Sequence, residues 1–191
     1  SVYSSSMYTS MGNYDPWAEM VAGDDGEIIS ESFKSGYELL SGKWPEKYDE
    51  VVLVVDRNDQ ISDYVLYSLG FKPFDEMVKI VEASISGEPV KTDSVSDWGY
   101  DEIIGREFRM VLLPDKYAKQ ENGEWIDLSE TETGLSFLFG NEELMTPLRI
   151  VGIVRSGEAG LSSMREATVL YTSALTDYVI EKTAEKDILK I

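Results

Sequence analysis

An α+β fold built on a mixed sheet is predicted by three features of the sequence. Two short runs are apolar at every position, segments of helical period flank and follow them, and an Asn-Gly turn joins two shorter extended pieces. The runs are Val51-Val52-Leu53-Val54-Val55 and Leu148–Val154, the second interrupted by Gly152. A strand apolar on both faces needs cover on both faces, so these two are expected at the centre of the sheet.

The remaining elements follow in chain order. Residues 1–34 read as a Ser/Tyr/Met-rich arm with a short strand, and residues 35–191 as the main α+β domain. Ser1–Tyr14 lacks an apolar period and is expected to be a mobile arm. Asp24-Asp25-Gly26 is a turn signal, and Glu27–Phe33 is expected to form the short strand. Tyr37–Leu40 is a second extended piece, closed by the turn residues Ser41-Gly42. A helix is predicted over 62–70, with Ser62 as N-cap, Ile61 and Leu66 as a hydrophobic staple and Gly70 as the stop. A second spans 73–84, with Phe74, Met77, Ile80 and Val81 on one face. Gly87–Trp98 is a polar connection, and Asp101–Gly105 a helical turn. Glu107–Leu113 reads as a strand, and 117–128 as a hairpin around Glu121-Asn122-Gly123. Ser156–Ser163 is a Gly/Ser-rich loop and Thr168–Tyr171 the last strand. A closing helix over 173–189 turns Leu175, Tyr178, Val179 and Ile188 inward.

Composition removes whole classes of function. The 191 residues include no cysteine and no histidine. Disulfides, zinc–thiolate sites, thiol nucleophiles, Ser-His-Asp catalysis and HExxH metalloprotease chemistry are therefore excluded. Thirty-six acids against 17 basic residues give a net charge of −19, which repels nucleic-acid phosphate and anionic lipid. The apolar fraction of 42% is that of a folded protein. No apolar run approaches the ~20 residues that cross a bilayer. The first residues have no basic n-region, and the last stop within a helical pattern. Both ends are expected to be cut from a longer protein, the alternative being a matured secreted one.

The motifs that carry chemistry elsewhere are incomplete here. Ser41-Gly42-Lys43-Trp44 has a Gly-Lys pair without the upstream glycine or the Ser/Thr of a P-loop, and Trp44-Pro45 reads instead as a plug packing a turn. Asp56-Arg57-Asn58-Asp59-Gln60-Ile61 begins like a calcium loop, but Ile61 replaces its turn glycine and Tyr67 its distal Glu. It reads as a polar turn before a helix. Close carboxylate pairs are expected by chance among so many acids. Trp17, Trp44, Trp98 and Trp125 could line a sugar platform, though packing is the commoner use of Trp. The serines of the 156–163 loop have no lysine beside them. No catalytic, cofactor-binding or metal-ligating residue is assigned.

One ordered set of blocks adds to this reading. Gly42-Lys43-Trp44-Pro45-Glu46-Lys47-Tyr48-Asp49-Glu50-Val51-Val52-Leu53-Val54 resembles the "G-R-x-P-x-x-x-x-E-V-V-L" signature of the extracytoplasmic domains of MacB/FtsX-like ABC-transporter permeases. Ile61–Gly70 resembles the following helix that ends in Leu-Gly. Ile104-Gly105-Arg106-Glu107-Phe108 resembles an "I-G-x-x-F" strand start, and Leu148–Arg155 a "V-G-I-V" strand. The ending Tyr171–Ile180 and the segment Ser4-Ser5-Ser6-Met7-Tyr8 are similar to long-loop members from Gram-positive bacteria. The blocks occur in the family's order across 35–191, with a longer polar and helical insert at Phe71–Tyr100.

The resemblance implies a non-catalytic domain on the extracellular face of the cell membrane, tethered by transmembrane helices. It implies a second permease subunit or half, a cytosolic ATP-binding subunit, and an extracellular peptide, lipid or accessory protein as partners. It transfers no site residue and implies no cofactor. The alternatives are a secreted carbohydrate-active enzyme using an acid pair, and a surface adhesin or solute-binding module. The first would show turnover, the second a pocket and a ligand.

Overall fold

A computed structural model describes residues 17–56, 58–61, 65–66, 69, 71–72, 99–157 and 169–186. The predicted arm, the cap Ser62, the stop Gly70, the helix over 73–84, the connection 87–98, the loop past Gly157 and Ile188 lie outside these residues. Of the helix expected over 62–70, Val65 and Leu66 are helical and buried.

The described residues fold as α+β, with four α-helices, a mixed six-stranded sheet and a separate two-stranded sheet. The strands are β1 (Trp17–Glu19), β2 (Tyr37–Gly42), β3 (Glu50–Val55), β4 (Glu107–Val111), β5 (Tyr117–Lys119), β6 (Trp125–Asp127), β7 (Met145–Ser156) and β8 (Val169–Tyr171). The helices are α1 (Glu31–Lys34), α2 (Tyr100–Ile103), α3 (Glu132–Gly140) and α4 (Ser173–Ala184). The main sheet runs β1-β8-β3-β7-β2, with β4 also on β7.

Both predicted central strands are central. β3 is buried at every position, antiparallel to β8 on one side and parallel to β7 on the other. Its alternate side chains feed two cores. Val51, Leu53 and Val55 join Ile150, Ile153 and Val169 on one face, while Val52 and Val54 join Val151, Val154 and Leu170 on the other. Each such side chain contributes about 1.5–3 kcal/mol on leaving water.

Gly152 marks a phase slip. Val51 pairs with Ile150 but Val52 pairs with Gly152, so one residue of β7 is unmatched at a bulge. The slip puts Ile150 and Ile153, three residues apart, on the same face. A Cβ on Gly152 would lie 2.3 Å from the Lys43 carbonyl oxygen, so the glycine permits close approach of two backbones.

β7 extends to 12 residues, about 40 Å, and begins before the predicted Leu148. Its first half pairs with β4, from Glu107↔Arg149 to Val111↔Met145. Arg149 N–H donates to Asp49 O and Ile150 N–H to Arg106 O, on opposite sides of the strand. By alternation Pro147 shares Arg149's side, where no described strand pairs beyond β3. A missing N–H costs nothing there, which is how a proline sits inside a strand.

Three expectations are corrected, and one helix was not foreseen. Glu27–Phe33 is not a strand: Ser30 caps α1, its hydroxyl accepting from Phe33 N–H at 3.1 Å, and Ile29 and Phe33 are buried one helical turn apart. Ser41-Gly42 is not a turn, because β2 continues through it with a bulge, and Gly42 takes φ +77° opposite Gly152. Residues 132–140 form α3, which no apolar stripe announces, capped by Thr131 accepting from Gly134 N–H at 3.0 Å. The closing helix stops at Ala184 instead of continuing toward 189, and Lys186 turns away to bond Asp115. The predicted hairpin is present as β5–β6, with Gly123 at φ +89°. Residues 17–34 supply β1, α1 and the core side chains Met20, Ile29 and Phe33.

Candidate functional site

Parallel strands expose their carboxyl ends together, and in open sheets that end is where ligands most often bind. Here β3 and β7 deliver Val55 and Arg155 as register partners at that end. Arg155 follows the apolar run Ile150–Val154 of β7, and its guanidinium gathers three segments. Nη1 donates to Glu38 Oε2 of β2 at 2.9 Å, Nε donates to Asp59 Oδ1 at 2.9 Å, and Nη2 also donates to Asp59. Asp59 holds φ +62°, the one left-handed non-glycine conformation among the described residues. The Asp59 hydrogen bond raises the Arg155 pKa further above its ordinary value. Burial, then the Asp59 charge, pushes the Tyr100 hydroxyl up. The cluster closes on itself and ties the 56–61 turn to the sheet.

A second polar cluster lies at the opposite end of β3. Lys43 Nζ reaches Glu46 Oε2 at 2.7 Å and Glu50 Oε1 at 3.2 Å. Glu50 Oε2 accepts from Glu46 N–H at 2.7 Å. Burial alone would raise the Glu50 carboxyl, but the Glu46 N–H and the Lys43 ammonium outweigh it and hold it below its ordinary value. The lysine of the Gly-Lys pair is thus committed to two carboxylates. Gly42 serves backbone packing: a Cβ there would sit 2.2 Å from Val151 O.

The other candidates resolve in the same way. Asp56 Oδ1 accepts from Asn58 N–H at 2.8 Å and from Gln60 N–H at 2.9 Å, an Asx turn that uses its carboxylate internally. Among the described residues no three acidic side chains converge as a metal site requires. Trp17 packs on the face of Val51 and Leu53, against Phe108 at 5.6 Å, whereas Trp44 packs on the opposite face beside Tyr37. Trp125 belongs to the separate hairpin, with Lys119 Nζ 5.8 Å from its ring. Trp17 and Trp44 therefore form no shared platform, and Trp98 lies outside the described residues. Of the loop serines, Ser156 is described, and its hydroxyl faces Gly157 O at 3.5 Å.

The Arg155 cluster was missed from sequence. Its one signal is a charge ending an apolar strand, and its partners stand 96 and 117 residues away. These features define an α+β domain whose polar groups at both ends of the central strand are bound to one another. No family profile, curated protein or solved structure matches the chain.

Proposed function

We propose that the chain is the non-catalytic extracellular domain of a MacB/FtsX-like ABC-transporter permease. In this reading it stands on the outer face of the cell membrane, tethered by transmembrane helices. It carries motion from a cytosolic ATP-binding subunit to an extracellular peptide, lipid or accessory protein, beside a second permease subunit or half.

The observation that carries the reading is that three separated blocks of the resemblance are neighbours in space. Glu50–Val54 of the Gly42–Val54 block pairs with β7, which holds the Leu148–Arg155 block. Lys43 N–H donates to Val151 O at 2.9 Å, and Gly105 N–H of the Ile104–Phe108 block donates to Ile150 O at 2.8 Å. A signature scattered over more than a hundred positions thus falls within one packed unit. The commitment of Lys43, Glu50, Asp59 and Arg155 to internal pairs supports a domain without chemistry of its own.

The test begins with the complete gene, which should encode hydrophobic helices on either side of this segment beside an ATP-binding subunit. In intact cells an epitope placed at Gly123 should be accessible from outside, and the ATP-binding subunit should co-purify in detergent. A gene without such helices sinks the proposal. So does glycoside turnover by the purified chain that one carboxylate substitution abolishes.

A further inference from the structure

The most informative unexplained contact is a buried acid held by a single distant cation. Asp115 lies in the 113–116 turn that leads from β4 into β5 and is 7% exposed at its side chain. Its Oδ1 accepts from Lys186 Nζ at 2.5 Å, just past the end of α4. α4 is unevenly seated. Its first turn is fixed by the buried cap Thr172, which accepts from Leu175 N–H, and by Leu175, its one buried side chain. Thr176 Oγ1 also donates to Glu19 of β1. The second half rests on a ring stack, Tyr48 against Tyr178 at 4.4 Å, and on a 3.4 Å hydroxyl contact between Tyr178 and Thr146 of β7. Ile180 is 62% exposed, and beyond Leu175 the apolar side chains Tyr178 and Val179 are only half-buried.

We propose that α4 is a latch, fixed at its N-terminal turn and releasable at its C-terminal half, whose docking sets the conformation of the 113–119 segment. The coupling follows from electrostatics. If the end of α4 lifts, Asp115 loses its cation, and an unpaired carboxylate does not stay buried. The 113–116 turn must then open to water, and β5 begins at the next residue, Tyr117. Local opening draws on segments with few buried apolar contacts, which is the condition of α4 beyond Leu175. This inference stands independently of where the chain resides.

Hydrogen exchange on the whole chain tests it. In Lys186→Gln, amides of 113–119 and of 178–184 should exchange about tenfold faster than in wild type, while those of Val51–Val55 stay unchanged. Adding Asp115→Asn should restore slow exchange at 113–119, because no charge is then stranded. Tyr178→Ala should loosen both segments with Lys186 intact. Acceleration confined to α4, failure of Asp115→Asn to restore protection, or uniform loss of protection including Val51–Val55 would each overturn the latch.

Discussion

Two glycines separate two physical demands at single residues. Gly105 has φ +87° with open space where a Cβ would go, so Gly105→Ala meets only the left-handed backbone penalty, about 1 kcal/mol. Gly152 faces the Lys43 carbonyl oxygen, and Gly152→Ala must push two paired backbones apart. Thermal melting should fall about twice as far for Gly152→Ala, whose overpacking costs about 1–3 kcal/mol. Equal shifts would show that β7 gives way freely at its bulge. Glu50 supplies a pH-dependent test. Its folded pKa lies below the ordinary 4.5, so its contribution is present above that value and is lost as pH falls through the folded one. Glu50→Gln should therefore melt below wild type at neutral pH and converge with it in acid. A gap that persists unchanged in acid would assign the loss to packing rather than charge.

At the level of elements, the contrast between β3 and its neighbours explains what could be read in advance. β3 was legible because an all-apolar β-branched run has one stable environment, a sheet covered on both sides. The β5–β6 hairpin was legible through Asn122-Gly123, whose glycine takes the positive φ that such turns need. α1 was misread as part of a strand because the deciding bond is local, from Phe33 N–H to the Ser30 hydroxyl. α3 left little trace, since Gly134 and Gly140 weaken helix propensity and tertiary packing around buried Leu138 overrides it. The Arg155 cluster was illegible because Asp59 and Glu38 reach it only after the sheet forms. Burial separates two substitutions cleanly. Val54→Asp places an unpaired charge at a position 6% exposed and should cost about 3 kcal/mol, roughly 6–12 °C in melting temperature. Leu39→Asp, at a position 39% exposed on β2, should stay within about 2 °C. Similar losses at both would place β2 deeper than the sheet order implies.

Across the whole molecule, a net charge of −19 means that the folded state repels itself and that added salt should stabilise it by screening. Millimolar calcium, compared with sodium chloride at matched ionic strength, should add less than about 2 °C. The reason is that Asp56 Oδ1 already accepts from two backbone amides and that, among the described residues, no three acidic side chains converge. A larger shift abolished by Asp56→Asn would identify a metal site in that turn. Charge also keeps copies of the chain apart, but only while it is unscreened, and at 1 M salt its reach shrinks to about 3 Å. Pro147 then denies an incoming strand the donor it would need on the side of β7 where, among the described residues, no strand pairs beyond β3. Pro147→Val should leave the protein monomeric at low salt and let it associate edge to edge at high salt, where wild type stays single by light scattering. At that one stretch of edge, the barrier that salt cannot screen is a missing hydrogen atom.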